Sequence, residues 1–222
     1  IFVYNIASGS HEQITKDLYN DLNPRFINHS SQIIFSSNRI NDTIRFDEPV
    51  KIENPHYYND LFLYNYSAKR NVLLRLTHSP DAHELQPQPY GENYFCFLSD
   101  QNGIVNRYLA RYDSAISFID TVAHYRYFTT TYPVTNYSRN ILEQDVSPKG
   151  AKIGEIIYQK RNYRMYTSDL VLPKHVQKVD VQPSYFKEQQ IKAEREGKSP
   201  PKADTALRLA EPFKIKEKKH FS

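Results

Sequence analysis

The feature that most constrains this chain is an internal repeat. Ile1-Phe2-Val3-Tyr4-Asn5, Ile14-Thr15, Asn23-Pro24-Arg25-Phe26 and Ile33-Ile34-Phe35-Ser36-Ser37-Asn38-Arg39 are followed, in the same order, by Leu61-Phe62-Leu63-Tyr64-Asn65, Leu76-Thr77, Gln86-Pro87 and Tyr94-Phe95-Cys96-Phe97-Leu98-Ser99-Asp100. Each copy is an apolar-aromatic run ending in Tyr-Asn, a short run ending in an aliphatic residue and Thr, a Pro-containing connection, and an apolar run closing on Ser. Repeats of this kind stack, because one copy cannot bury its own apolar faces. Thr15 and Thr77 lie 62 residues apart, more than the ~40–50 residues of a typical multi-strand repeat. The surplus falls in the segment 41–60, which reads as an insertion. A weaker third copy places Tyr112-Asp113 in the Tyr-Asn position and predicts a turn at Ser147-Pro148-Lys149-Gly150, a strand at Ile156-Ile157-Tyr158 and another from Tyr163.

The short runs, together with 18 Tyr and 12 Phe, predict an all-β fold, since aromatic side chains suit a half-buried pleated face. Residues 1–182 form the repeat region. From Pro183 the chain changes character: Lys187 to Glu196 is charged and weakly helical, and Gly197-Lys198-Ser199-Pro200-Pro201 is rich in breakers. Residues 183–222 are therefore expected to be an irregular, charged linker or tail. The formal charge of +4 resides there: 10 of the 29 basic residues and 6 of the 25 acidic ones lie in 183–222, leaving 19 of each in 1–182. A neutral repeat region has no field to steer a polyanion, so nucleic acid is not an expected partner.

The residues of the repeat resemble the blade motif of TolB-like β-propellers. Asn23-Pro24-Arg25-Phe26 through Ser36-Ser37-Asn38-Arg39 is similar to the family's Pro-x-aromatic, apolar-Ala-Phe, Ser-x-Arg pattern. Phe2-Val3-Tyr4-Asn5, Gly9 and Ile14-Thr15 look like the accompanying Leu-Tyr-x-x-Asp, Gly, Leu-Thr half, and Ser147-Pro148-Lys149-Gly150 matches the Ser-Pro-Asp-Gly turn. His29-Ser30-Ser31 and Gly91-Glu92-Asn93 depart from that turn. The resemblance implies a partial β-propeller of about three four-stranded antiparallel blades, an incomplete ring cut from a longer protein. It further implies a non-catalytic module of a bacterial cell-envelope protein, periplasmic or associated with the outer membrane, that binds or scaffolds a protein or an envelope polymer. The alternative the resemblance carries is a propeller that gates a prolyl-peptidase-like serine hydrolase domain absent from this chain.

Chemistry-bearing motifs are few. No Gly-x-Ser-x-Gly elbow, Gly-x-x-x-x-Gly-Lys cradle or His-Glu-x-x-His pair occurs, so no catalytic residue, metal ligand or cofactor is assigned. Cys96, the lone cysteine, can form no internal disulfide and reads as a buried strand residue. His78, Asp81, His83 and Glu84 crowd one connection, and Asp17, Asn20 and Asp21 crowd its counterpart. Turn hydrogen bonding accounts for such residues; calcium is the alternative ligand for them. The insertion 41–60 carries Arg45, Phe46, Asp47, His56, Tyr57 and Tyr58. Loops on a rigid scaffold hold binding residues, and Arg45, Phe46, His56, Tyr57 and Tyr58 are the candidate contacts. No run approaches the ~20 apolar residues of a membrane-spanning helix.

Overall fold

A computed structural model describes residues 1–44, 57–119, 121, 123–147, 149 and 151–197. The chain divides into two compact units, Ile1–Gln182 and Pro183–Ser222. The first is mostly β and antiparallel throughout. It holds a two-stranded sheet of β1 (Phe2–Tyr4) and β2 (His11–Gln13) and a four-stranded sheet of β3 (Asp21–Ile27), β4 (Gln32–Ser37), β5 (Asp60–Asn65) and β6 (Leu73–Arg75). A second four-stranded sheet follows, made of β7 (Glu84–Gly91), β8 (Tyr94–Ser99), β9 (Asn106–Ile119) and β10 (Ala123–Pro133). The last has three strands, β11 (Ile141–Ser147), β12 (Lys152–Gln159) and β13 (Asn162–Asp169).

The two four-stranded sheets bury both faces against their neighbours in chain order, and strand periodicity decides which residue faces which neighbour. Ile34, Leu61 and Leu63 of the first four-stranded sheet pack on Phe95, Phe97, Tyr108 and Ala110 of the second. The alternate residues Ile33, Phe35, Phe62 and Tyr64 pack the other way, with Ile14, Ile44 and Leu73. In the second sheet, Cys96 and Leu109 turn to meet Val146 and Ile153 of the third. Cys96 is fully buried, and burial pushes its thiol up to about 12, so it behaves as a small apolar residue.

The repeat is visible atom by atom. Phe35 and Phe97 occupy the same position in their sheets, each opposite an aromatic: Phe35 pairs with Phe62 and Phe97 with Tyr108. Both pairs stack at 27° between ring planes. The aliphatic-Thr dipeptide closes the last strands β2, β6 and β10 of the first three sheets by the same two bonds. Ile14, Leu76 and Val134 donate their N–H to the carbonyls of Ile1, Leu61 and Arg107. The Thr15, Thr77 and Thr135 hydroxyls accept from the N–H of the same three partners, at 2.5, 2.9 and 2.8 Å. A bulge also recurs in the first strands, with Asn23 (φ 51) and Gln86 (φ 50) each preceding a proline.

Those first strands are joined across the sheets. Arg25 of β3 donates Nε to Gln88 Oε1 of β7 at 3.2 Å and lies 3.6 Å from Asp145 of β11. Gln144 of β11 donates its N–H to Gln86 Oε1 at 2.9 Å and its side-chain amide to the Gln86 carbonyl at 3.0 Å. Arg107, buried beneath, pairs with Glu155 at 2.7 Å and donates to Gln144 at 2.8 Å.

The structure departs from the sequence expectations in three places. The sheets are not three equal blades: one has two strands, two have four and one has three. Tyr112-Asp113 does not mark a turn in a third copy. In the first two copies Asn5 and Asn65 fold the chain back, their Oδ1 accepting the N–H groups of Ala7 and Ser8, and of Ala68. Arg111 stands in that place in the second sheet, opposite Tyr94 as Asn65 is opposite Gln32. It offers no such acceptor, and the strand runs on to Ile119. Third, the C-terminal unit is not wholly irregular. A helix α1 spans Tyr185–Arg195; Ser184 caps it by accepting the Lys187 N–H at 3.3 Å, and Gly197 at φ 64 follows its end. The capping serine overrides the weak propensity of the run.

Candidate functional site

Strands β5, β6 and β7 meet at a polar cluster beneath an aromatic surface. Asp60 opens β5 and is nearly buried. Its Oδ2 pairs with the Arg75 guanidinium, accepting Nε at 3.0 Å, and its Oδ1 accepts the Ser79 N–H at 3.0 Å. Arg75 lies 5.6 Å over the Phe62 ring, which fixes its plane by a cation–π contact. Glu84 opens β7 and is 4% exposed. Its Oε1 accepts from the Ser79 hydroxyl at 2.7 Å, while Oε2 has no hydrogen bond. Burial pushes its carboxyl up to about 7, against the pull of the Thr77 and Ser79 hydroxyls and of Arg75, with the Asp60 charge adding to the rise. Backbone bonds lock the corner: Glu84 N–H donates to the Asn59 carbonyl, the Ser36 hydroxyl to the Glu84 carbonyl, and His83 N–H to Asp100 Oδ1 at 2.7 Å.

On this base stand Tyr57, Tyr58 and His83. The tyrosine rings meet edge-on at 5.0 Å, and His83 approaches Tyr57 at 5.6 Å and Tyr58 at 5.1 Å. Tyr57 is 81% exposed. The three rings form one cluster with Tyr57 in solvent, joined through Asn59 to the buried Asp60–Arg75 pair.

The other candidates distribute differently. Arg45, Phe46 and His56 lie outside the described residues, as does Asp47. His78 is exposed, its Nδ1 4.0 Å from Asp60. Among the described residues no group of three or more His, Cys, Asp or Glu is arranged to hold a metal ion. Around Asp17 and Asp21 a guanidinium occupies the place considered for calcium: Arg39, fully buried, lies 3.2 Å from Asp17 and 2.7 Å from Asp21. It is sandwiched near the rings of Tyr19, Phe35 and Phe62. Sequence reading missed Asp60, Arg75 and Ser79 as anchors. The recurring Thr two residues before Ser79 was the available signal, because Asn106 and Tyr137 repeat the bond of Asp60 to Ser79, at 2.8 Å.

The fold and site define a mostly β repeat protein with a preorganised aromatic surface. No family model matches the chain, and no curated protein matches its sequence. Among solved structures, the crystal structure of TolB from Acinetobacter baumannii is similar at a TM-score of 0.47 and 16% identity, over 76% of this chain and 35% of that one. The chain thus spans about a third of the length of the protein it is compared with. No helix among the described residues is long and apolar enough to cross a membrane.

Proposed function

We infer that the chain is a non-catalytic binding module, a run of propeller blades that presents the Tyr57, Tyr58 and His83 surface to a protein or polymer of the bacterial cell envelope. The observation that carries the reading is this exposed three-ring cluster seated on a buried Asp60–Arg75 pair. Aromatic anchors on a rigid base bind with little ordering cost. Support for the propeller comes from the blade-like motifs and from the repeated aliphatic-Thr closures of successive sheets. The envelope assignment rests on the motif resemblance.

The test is co-sedimentation of the purified chain with isolated bacterial envelope fractions, with cytosolic protein as the control. Retention on the envelope fraction that drops at least tenfold in a Tyr57→Ala/Tyr58→Ala variant of unchanged circular dichroism supports the proposal. Equal retention of the two proteins, or none for the unmodified chain, rejects it.

A further inference from the structure

The β9–β10 hairpin is longer than the sheet that carries it. Strand β8 pairs with β9 only from Asn106 to Arg111, whereas β9 continues to Ile119 and β10 runs for 11 residues. Beyond Tyr112, whose N–H still donates to the Asn93 carbonyl, the sheet is a two-stranded ribbon. The outer edge of β10 pairs with no strand among the described residues. The ribbon points away from the end of the strands that holds Tyr57, so the aromatic surface makes no use of it.

Exposed edges are templates for further pairing, and proteins blunt them with lysine, proline, inward charges or short length. The outer edge of the preceding sheet is only three residues long, Leu73–Arg75. From Arg126 to Tyr132, by contrast, β10 reads Arg-Tyr-Phe-Thr-Thr-Thr-Tyr, with one charge and no proline or glycine. Its residues are strong strand formers. Tyr127 and Phe128 are 53% and 40% exposed, and Ile116 on the facing strand is 54% exposed.

The same stretch is complementary to itself. In an antiparallel pairing across a two-fold axis at Phe128, Tyr127 falls opposite Thr129 and Arg126 opposite Thr130, while Phe128 meets its own copy. Aromatic residues opposite β-branched ones and aromatic pairs are the favourable cross-strand combinations, and no like charges oppose each other. At the end of the strand the Pro133 carbonyl already accepts the Val179 N–H; the nine residues His124–Tyr132 remain and supply about eight backbone hydrogen bonds, within the range of a specific interface. We propose that β10 is a self-association edge, along which two copies of this chain join their four-stranded sheets into one of eight strands about an axis at Phe128.

Sedimentation of the chain from ~1 to ~100 μM tests this, the upper limit lying well above the range in which specific interfaces hold. The expected result is a monomer–dimer equilibrium. Phe128→Lys places two ammonium groups opposite each other at the axis and raises the dimer dissociation constant at least tenfold. Phe128→Cys, oxidised, gives a covalent dimer, because directly opposed residues stand ~4.5–5.5 Å apart, within disulfide reach; Cys96 is buried and does not compete. Should the lysine variant fail to fold, the cysteine variant decides. A chain that stays monomeric at every concentration, a dimer indifferent to Phe128→Lys, or introduced cysteines that do not cross-link overturns the proposal.

Discussion

At the scale of single residues, Glu84 couples stability to pH. Its folded carboxyl titrates at about 7 against an ordinary 4.5. Between those values the folded protein keeps a proton that the unfolded chain has released, so stability falls as pH rises from 4.5 to 7 and then levels off. A displacement of this size corresponds to about 3 kcal/mol at most. Glu84→Gln removes the ionisation and keeps the shape and the bond from Ser79. We expect the variant to lose that slope in urea titrations at pH 4.5, 6 and 8, and to exceed the unmodified protein by about 1–3 kcal/mol at pH 8. Arg39 works in the opposite sense. Replacing it by Met leaves the buried Asp17 and Asp21 carboxylates without their partner, and a loss of about 3–5 kcal/mol is expected in the same assay.

At the scale of elements, the threonine closures fix where β2, β6 and β10 end. Thr77→Val removes the acceptor of the Leu61 N–H in a buried setting, with an expected loss of about 1–3 kcal/mol in denaturant unfolding. These closures mark what could be read from the sequence: Ile14-Thr15 and Leu76-Thr77, the two Tyr-Asn turns and the Ser-terminated apolar strands are local signals, and each sits where the repeat puts it. Val134-Thr135 is hidden in the sequence because the long β9–β10 ribbon separates it from its partner Arg107, and because Tyr112-Asp113 imitates the Tyr-Asn turn while Arg111 stands in the place of its asparagine. Of the site, Tyr57 and Tyr58 were legible as loop aromatics. Their meeting with His83 was not, since it depends on Asn59 and Glu84 joining two sheets. The buried state of Arg39 was equally hidden, because nothing in Ser-Asn-Arg tells a surface guanidinium from one enclosed by rings contributed from three segments.

At the scale of the molecule, cohesion passes from sheet to neighbouring sheet, so damage is expected to stay local in the way nearest-neighbour repeat proteins show. Ile153→Ala opens the contact between the second four-stranded sheet and the third, at about 2–5 kcal/mol. Hydrogen exchange is expected to quicken across β11–β13 while β4 and β5 keep their protection; uniform loss of protection would contradict a nearest-neighbour stack. Sequence copy and sheet are offset by two strands. Each copy supplies the last two strands of one sheet and the first two of the next, so its covalent backbone crosses the seam like a brick laid over a joint. Gene duplication or excision of one such length therefore adds or removes a complete layer and leaves no half-built one behind, a route by which chains of this architecture can change size without unlearning how to fold.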